Sequence, residues 1–257
     1  MTDNMEVTGI VLTAMPIGEA DRRILLLTKE LGKISAFVRG ARKPTSPMVA
    51  STRPFAFGRF EIYPGKSAYT VRKCEILEYF EGLVSDVSKT AYGSYMLELA
   101  GYFSHEDAPA GEMLELLYYS LKALLHPQIP DRLVRRIFEL KALSVEGVVP
   151  DFRTCIKCRK PVKEGIFRPS VMNVVCTDCA QDLQGNALPS YVPAGLPLSK
   201  SALYTLQFIA ATPPPKLYTF SLNEETFAQI VPVIDRLYAA NVDRTLQSRQ
   251  MLSVLAE

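Results

Sequence analysis

The stretch ISAFVR, Ile34–Arg39, alternates with a period of two: Ile34, Ala36 and Val38 share one face, and Ser35, Phe37 and Arg39 share the other. That is a strand with one apolar side. The same signal recurs on both sides of it. Glu6–Met15 is rich in Val, Ile and Thr and closes on the turn Pro16-Ile17-Gly18. Arg23–Thr28 is a short apolar run, and the polar turn Lys29–Lys33, containing Gly32, leads into Ile34. After Arg39, the segment GARKPTSP (Gly40–Pro47) combines turn formers with cations and predicts a flexible basic loop. Phe55–Tyr63 alternates again, with Phe57, Arg59, Glu61 and Tyr63 on one face; Pro64–Ser67 is a hairpin turn and Ala68–Leu77 the return strand. Five short strands within Met5–Tyr79 predict a small closed barrel of the OB type, the common solution at that size.

Beyond residue 85 the apolar period becomes helical. Asp86–Ser104, Glu112–Leu125 and Arg132–Glu146 predict three helices, with Asp131 as the cap of the third. Ser199–Ala211 and Asn223–Asn241, the latter kinked at Pro232, predict two more, and Gln247–Leu255 a short last one. Leu188–Leu198, with three prolines and a glycine, reads as a linker. The expected fold class is α+β: an OB barrel at 1–80 followed by a helical domain at 81–257, with a cysteine ribbon at 151–185 inserted between helices.

The ribbon rests on two pairs, CIKC at Cys155–Cys158 and CTDC at Cys176–Cys179. Each Cys-x-x-Cys turn presents two thiolates, and two such turns make a tetrahedral cage of four sulfurs. Four sulfurs with no nearby His favour one structural zinc, with iron as the competitor. A dithiol redox pair or a disulfide staple is the other reading. The fifth cysteine, Cys74, reads as a small apolar residue. An odd thiol count fits a reducing compartment, and MTDNMEVTGI lacks the basic and apolar regions of a signal peptide. A soluble cytoplasmic protein without membrane spans is expected.

Catalytic patterns are scarce. His105 and His126 flank predicted helix ends with no Ser or Cys nucleophile pattern beside them. Gly65-Lys66-Ser67 imitates the end of a phosphate-binding loop, but residue 60 is Phe where that motif needs Gly, and a strand follows where it needs a helix. A non-enzyme is expected; a metal-dependent nuclease or a helicase fragment is the rival reading, and a zinc-ribbon scaffold binding only protein is another.

Charge supplies the positive signal. The whole chain carries a net charge of +2, yet Arg22–Lys73 holds twelve Lys and Arg against Glu30 and Glu61. A basic block on a near-neutral body is the footprint of a polyanion. Cations interleaved with aromatics are how barrels hold nucleic-acid strands. The candidate DNA-binding residues are Lys33, Phe37, Arg39, Arg42, Lys43, Arg53, Arg59 and Lys66, with Arg39, Arg42 and Lys43 foremost. Of the Phe37/Arg39 and Phe57/Arg59/Tyr63 faces one is expected to turn inward. In the helical part, Met113–Tyr119 is apolar around most of its circumference, which reads as core or as a groove for a partner peptide. Arg132, Arg135 and Arg136 offer that groove a charged rim, or form a solvated helix face.

LGKISAFVRGARKP (Leu31–Pro44), FELKALSVEGVVPDFRTCIKC (Phe138–Cys158), CTDC (Cys176–Cys179) and LQSRQML (Leu246–Leu252) together resemble the bacterial recombination mediator family RecO, nearly end to end. The resemblance implies a nucleoid-associated DNA repair protein. Such a protein binds single- and double-stranded DNA through its barrel, anneals complementary strands and, with RecR, helps RecA load on DNA coated by the single-strand-binding protein SSB. It also implies that the helical domain engages the acidic, apolar-ended C-terminal tail of SSB. Two departures stand out: where the family often has glycine after the second cysteine and a glycine pair before the third, this chain has Arg159 and Met172-Asn173. Glycine eases the φ > 0 geometry of such a knuckle, so a slightly strained cage is expected.

Overall fold

The computed structural model describes residues 4–180 and 195–255. Five strands, β1 (Met5–Ile17), β2 (Asp21–Thr28), β3 (Gly32–Val38), β4 (Phe57–Pro64) and β5 (Tyr69–Glu78), close into a barrel in the order β1-β2-β3-β5-β4. Neighbours run antiparallel except for a short parallel contact of β3 with β5, where Ala36 meets Tyr69 and Phe37 meets Thr70. This is the OB arrangement expected from the strand count. The interior is filled by the inward side of each alternation: Val7 and Val11, Ile24 and Leu26, Ile34, Ala36 and Val38, Phe60 and Ile62, and Val71. Cys74 packs against that interior, and burial pushes its thiol up to about 12, so it behaves as a small apolar residue.

A bulge between Val11 and Thr13 turns Leu12 to the outside of the barrel. Leu12 is nonetheless buried, because a helix covers it. After a short α1 (Met48–Ser51) between β3 and β4, α2 (Glu81–Val84), α3 (Val87–Phe103) and α4 (Gly111–Leu124) follow the barrel. Asp86 caps α3 by accepting from the Lys89 N–H at 3.0 Å. A Cβ on Gly101 of α3 would stand 3.1 Å from the Leu12 methyl, so glycine there sets how closely helix and strand approach. Phe57 leaves the barrel wall to meet Tyr118 of α4, with ring centroids 4.8 Å apart. The compact unit that holds the barrel also takes in these helices. It comprises Met1–Pro127 with Leu246–Glu257, because contacts such as Phe57–Tyr118 and Leu12–Gly101 bind the first helices to the strands.

The second unit is Gln128–Thr245. It holds α5 (Asp131–Val145), a three-stranded sheet of β6 (Gly165–Arg168), β7 (Asn173–Cys176) and β8 (Leu196–Leu198) in the order β7-β6-β8, then α6 (Lys200–Ala211) and α7 (Glu224–Asn241). Asp131 is the first residue of α5 and not its cap; Pro130 holds that place with no side-chain bond. Ser199 and Asn223 cap α6 and α7 through bonds from Ala202 and Thr226, and α7 continues through Pro232. The linker expected at 188–198 ends instead in β8, which joins the ribbon sheet and leads straight into α6; residues 188–194 of it, and the ribbon's expected end at 181–185, lie outside the described residues. The last helix, α8 (Gln247–Leu255), belongs to the first unit, packed on α3, where Glu98 accepts the Gln247 and Ser248 N–H groups at 3.1 and 2.9 Å.

Candidate nucleic-acid interface and metal centre

Strand alternation places Phe37 and Tyr63 on the outside of the barrel, since Ala36 and Val38 on β3 and Phe60 and Ile62 on β4 take the interior. Both candidate faces thus point outward, contrary to the expectation that one would turn in. The registers Arg23↔Phe37, Phe37↔Thr70 and Tyr63↔Thr70 align Arg23, Phe37, Thr70 and Tyr63 in one row across four strands. The Arg23 guanidinium carbon stands 5.9 Å from the Phe37 ring centroid, and its Nε donates to Ser35 Oγ at 2.7 Å. Beside the row, Asn4, Arg39, Tyr63, Thr70, Val71 and Arg72 line a hollow of about 400 Å³. One aromatic wall, two guanidiniums and an amide suit an unpaired base with its phosphates.

The other sequence candidates scatter. Lys33 is drawn away from the row, its ammonium donating to the Gly101 carbonyl of α3 at 2.6 Å. Arg59 faces Glu75 at 4.0 Å, a half-exposed pair of the kind worth about 0–1 kcal/mol. Phe57 is taken by Tyr118. Lys66 is exposed in the β4–β5 turn, but Glu106 and Asp107 line the same hollow of about 280 Å³ and oppose its charge. Lys43 and Arg53 are exposed, and Arg42 is exposed with its Nη1 on the Gly18 carbonyl at 2.7 Å. The loop carrying Arg42 is built from turns, Lys43 N–H to Gly40 O at 3.1 Å and Ser46 N–H to Lys43 O at 2.9 Å, and Arg42 N–H donates to Ala20 O at 2.8 Å. The expected flexible loop is thus pinned to the β1–β2 turn. Sequence reasoning missed Arg23, Arg72 and Asn4. Arg72 was within reach, standing two residues beyond Thr70 in the strand alternation.

The four ribbon cysteines converge. Their sulfurs lie within 4.8 Å of one another, and Cys158 Sγ is 3.8 Å from Cys176 Sγ. Sulfurs each ~2.3 Å from a tetrahedral zinc would stand ~3.8 Å apart, so the spacing fits a metal cage. Burial pushes the Cys155 thiol up, but the N–H groups of Cys158, Cys176 and Lys157 aimed at its sulfur outweigh this and bring it down to about 6. Burial and then the thiols of Cys176, Cys158 and Cys155 push Cys179 up to about 12. Four thiols this close ionise together only around a cation.

The knuckle is strained where expected: Arg159 has φ 61°, with its N–H on the Cys155 carbonyl at 2.8 Å, and Met172, rather than Asn173, takes the second left-handed position at φ 48°. Arg159→Gly is expected to stabilise the second unit by about 0.5–1 kcal/mol, the relief of the left-handed side chain exceeding the entropy of the added glycine. Thermal denaturation checks it, and an unchanged or lower Tm would count against a strained knuckle.

The arginine rim has another use. Glu139 of α5 is fully buried and accepts from Arg135 Nε and Arg136 Nη1, both at 2.9 Å, while Arg136 also reaches Asp235 at 2.6 Å. Arg135 and Arg136 therefore compensate a buried carboxylate, which would be costly left unpaired. They are not a solvated face. Arg132 is exposed, paired with Glu224, its guanidinium 5.0 Å from the Phe227 ring. No helix among the described residues is long and apolar enough to cross a membrane.

Comparison with known proteins agrees with this architecture. Residues 1–80 match the family described as Recombination protein O N terminal, and residues 84–250 match Recombination protein O C terminal. The chain is 27% identical to DNA repair protein RecO of Acetivibrio thermocellus over 98% of its own length and 97% of the relative's. It is 30% identical to DNA repair protein RecO of Bacillus subtilis and 31% identical to that of Bacillus pumilus, over 95% of its length and 92% of theirs in each case. An OB-type barrel, a following helical part and a four-cysteine cluster, matched across both halves, make this chain a member of the RecO family.

Proposed function

We propose that this protein is a non-catalytic recombination mediator in DNA repair that binds single- and double-stranded DNA and anneals complementary strands. The observation that carries the reading is the outward row Arg23–Phe37–Thr70–Tyr63 beside the hollow lined by Arg39 and Arg72. Bases of an open strand stack on Phe37 and Tyr63 while Arg39, Arg72, Arg42, Lys43 and Arg53 neutralise phosphates. Neutralised phosphates lower the repulsion between two strands, which is what annealing needs. One structural zinc in the cysteine cage holds the ribbon sheet to the start of α6. With RecR, the protein helps RecA load on SSB-coated DNA. The second unit takes the acidic, apolar-ended tail of SSB, and Arg132, exposed although paired with Glu224, is the rim arginine that exchanges this partner for the tail's carboxylate.

Counterion release tests the electrostatic half. The affinity for a short oligonucleotide falls steeply with salt, and changing Arg39, Arg42 and Lys43 to Ala lowers the slope of log K against log salt by about two to three. Salt-independent binding, or a slope untouched by the three changes, refutes it. Metal-dependent cleavage of DNA by the pure protein would favour a nuclease instead.

A further inference from the structure

Arg22 is held unlike the other barrel cations. Its Nη1 donates to the Val49 carbonyl at 2.8 Å and to Thr52 Oγ1 at 2.7 Å, so α1 and the residue after it grip the guanidinium by one nitrogen. Thr52 Oγ1 in turn donates to the Met48 carbonyl at 2.7 Å, which orients it as an acceptor for Arg22. Nε and Nη2 of Arg22 stay uncommitted. Arg42 is held the same way, by Nη1 on the Gly18 carbonyl and by its own N–H on Ala20 O, and it too keeps Nε and Nη2. Arg53 follows α1, its N–H on Ala50 O at 3.1 Å and its side chain exposed.

These three guanidiniums gather where the β1–β2 turn meets the connection between β3 and β4. Arg22 is bound to Thr52, the residue before Arg53, and Arg42 to the β1–β2 turn that leads into Arg22, and the charges of Arg53 and Arg42 add to burial in lowering the Arg22 pKa. Among the described residues no carboxylate forms an ion pair with any of them. Asp21, adjacent in the chain, spends its Oδ1 on the Gly40 N–H at 2.8 Å. A fold that fixes two arginines through backbone carbonyls and brings a third near them, with no carboxylate among the described residues in an ion pair with any of the three, has assembled donors for an external anion. Forked guanidiniums match the oxygens of a phosphate better than those of any monatomic ion.

We infer that Arg22, Arg42 and Arg53 form a discrete site for a phosphate oxyanion, supplied either by an internal phosphodiester or by the terminal phosphate of a nucleic-acid strand. The site rests on the nucleic-acid reading of the barrel and deepens it. The Phe37–Tyr63 row holds bases, and this cluster takes a phosphate.

The test uses the whole chain and two measurements. In the first, inorganic phosphate is titrated without nucleic acid while the arginine Nε resonances are followed. Arg22, Arg42 and Arg53 are expected to shift together and to saturate, and Arg53→Gln to abolish saturation. That side chain is exposed and makes no hydrogen bond among the described residues, so its loss leaves the barrel intact. Shifts that never saturate, or that match those of Arg236 in the second unit, overturn the site. In the second, one oligonucleotide is compared with and without a 5′-phosphate. Arg53→Gln weakening both forms about tenfold identifies an internal phosphodiester, and weakening only the phosphorylated form identifies the strand end. A loss no larger than that from Lys73→Gln, a remote cation on β5, overturns the site even if DNA binds. Saturating phosphate shifts in a protein that binds neither oligonucleotide would overturn the nucleic-acid reading alone.

Discussion

Chelating the metal from the Cys155–Cys158–Cys176–Cys179 cage is expected to lower the melting temperature of the second unit by about 10 °C or more, while the barrel keeps its amide protection. The size of the effect follows from how little else holds the ribbon. Its strands β6, β7 and β8 have four, four and three residues, too short to stand alone. Among the described residues its buried apolar side chains are small in number, chiefly Phe152, Val162, Phe167, Val174, Val175 and Leu198. A metal held by the four thiolates would supply the missing free energy, of order 10–16 kcal/mol in isolated zinc modules. Loss is transmitted within the unit because β8 pairs with β6 and runs into α6, whose Gln207 also bonds the Phe152 carbonyl at 2.9 Å. Cys155→Ser should reproduce the effect. A chelated protein with an unchanged melting curve would mean that the cage carries no structural metal.

Replacing Phe37 and Tyr63 together by Ala is expected to weaken binding of single-stranded DNA by about 2–6 kcal/mol, from about 1–3 kcal/mol for each stacked base. The salt slope should stay where it was, since no charge is removed. Binding to duplex should suffer much less, because paired bases offer no free faces. Neither residue is fully buried and both neighbours inside the barrel remain, so the variant should fold. Equal losses for single strand and duplex would indicate damage to the barrel rather than loss of stacking. The single changes apportion the effect, and a Tyr63 loss larger than that of Phe37 would follow from its place in the hollow with Arg39 and Arg72.

Much of this was legible in the sequence because β3 and β4 alternate cleanly and the cysteine spacing carries its own geometry. The five strands fall within a few residues of their expected bounds. Elsewhere the local signal was overridden from a distance. Leu27 is buried although it lies outside the barrel's own core cluster, so β2 reads as apolar on both sides. The tie between barrel and α4 depends on Phe57 meeting Tyr118, a pairing that no local pattern reports. Lys33 looked like a phosphate ligand until the Gly101 carbonyl claimed it. Arg135 and Arg136 stand four and three residues before Glu139, a spacing visible in the sequence, but the burial that turns a surface pair into a structural one was not. The Arg22 cluster draws on residues twenty and thirty-one positions beyond Arg22, so only the folded chain brings it together.

The proposed mediator role requires that an open DNA strand lie on the outer face of the barrel. Photo-crosslinking with an oligonucleotide carrying 5-iododeoxyuridine, followed by peptide mapping, tests it most directly. Cross-links should fall on the peptides containing Phe37 and Tyr63 and disappear at high salt. Cross-links confined to Gln128–Thr245, with the barrel peptides untouched, would contradict it.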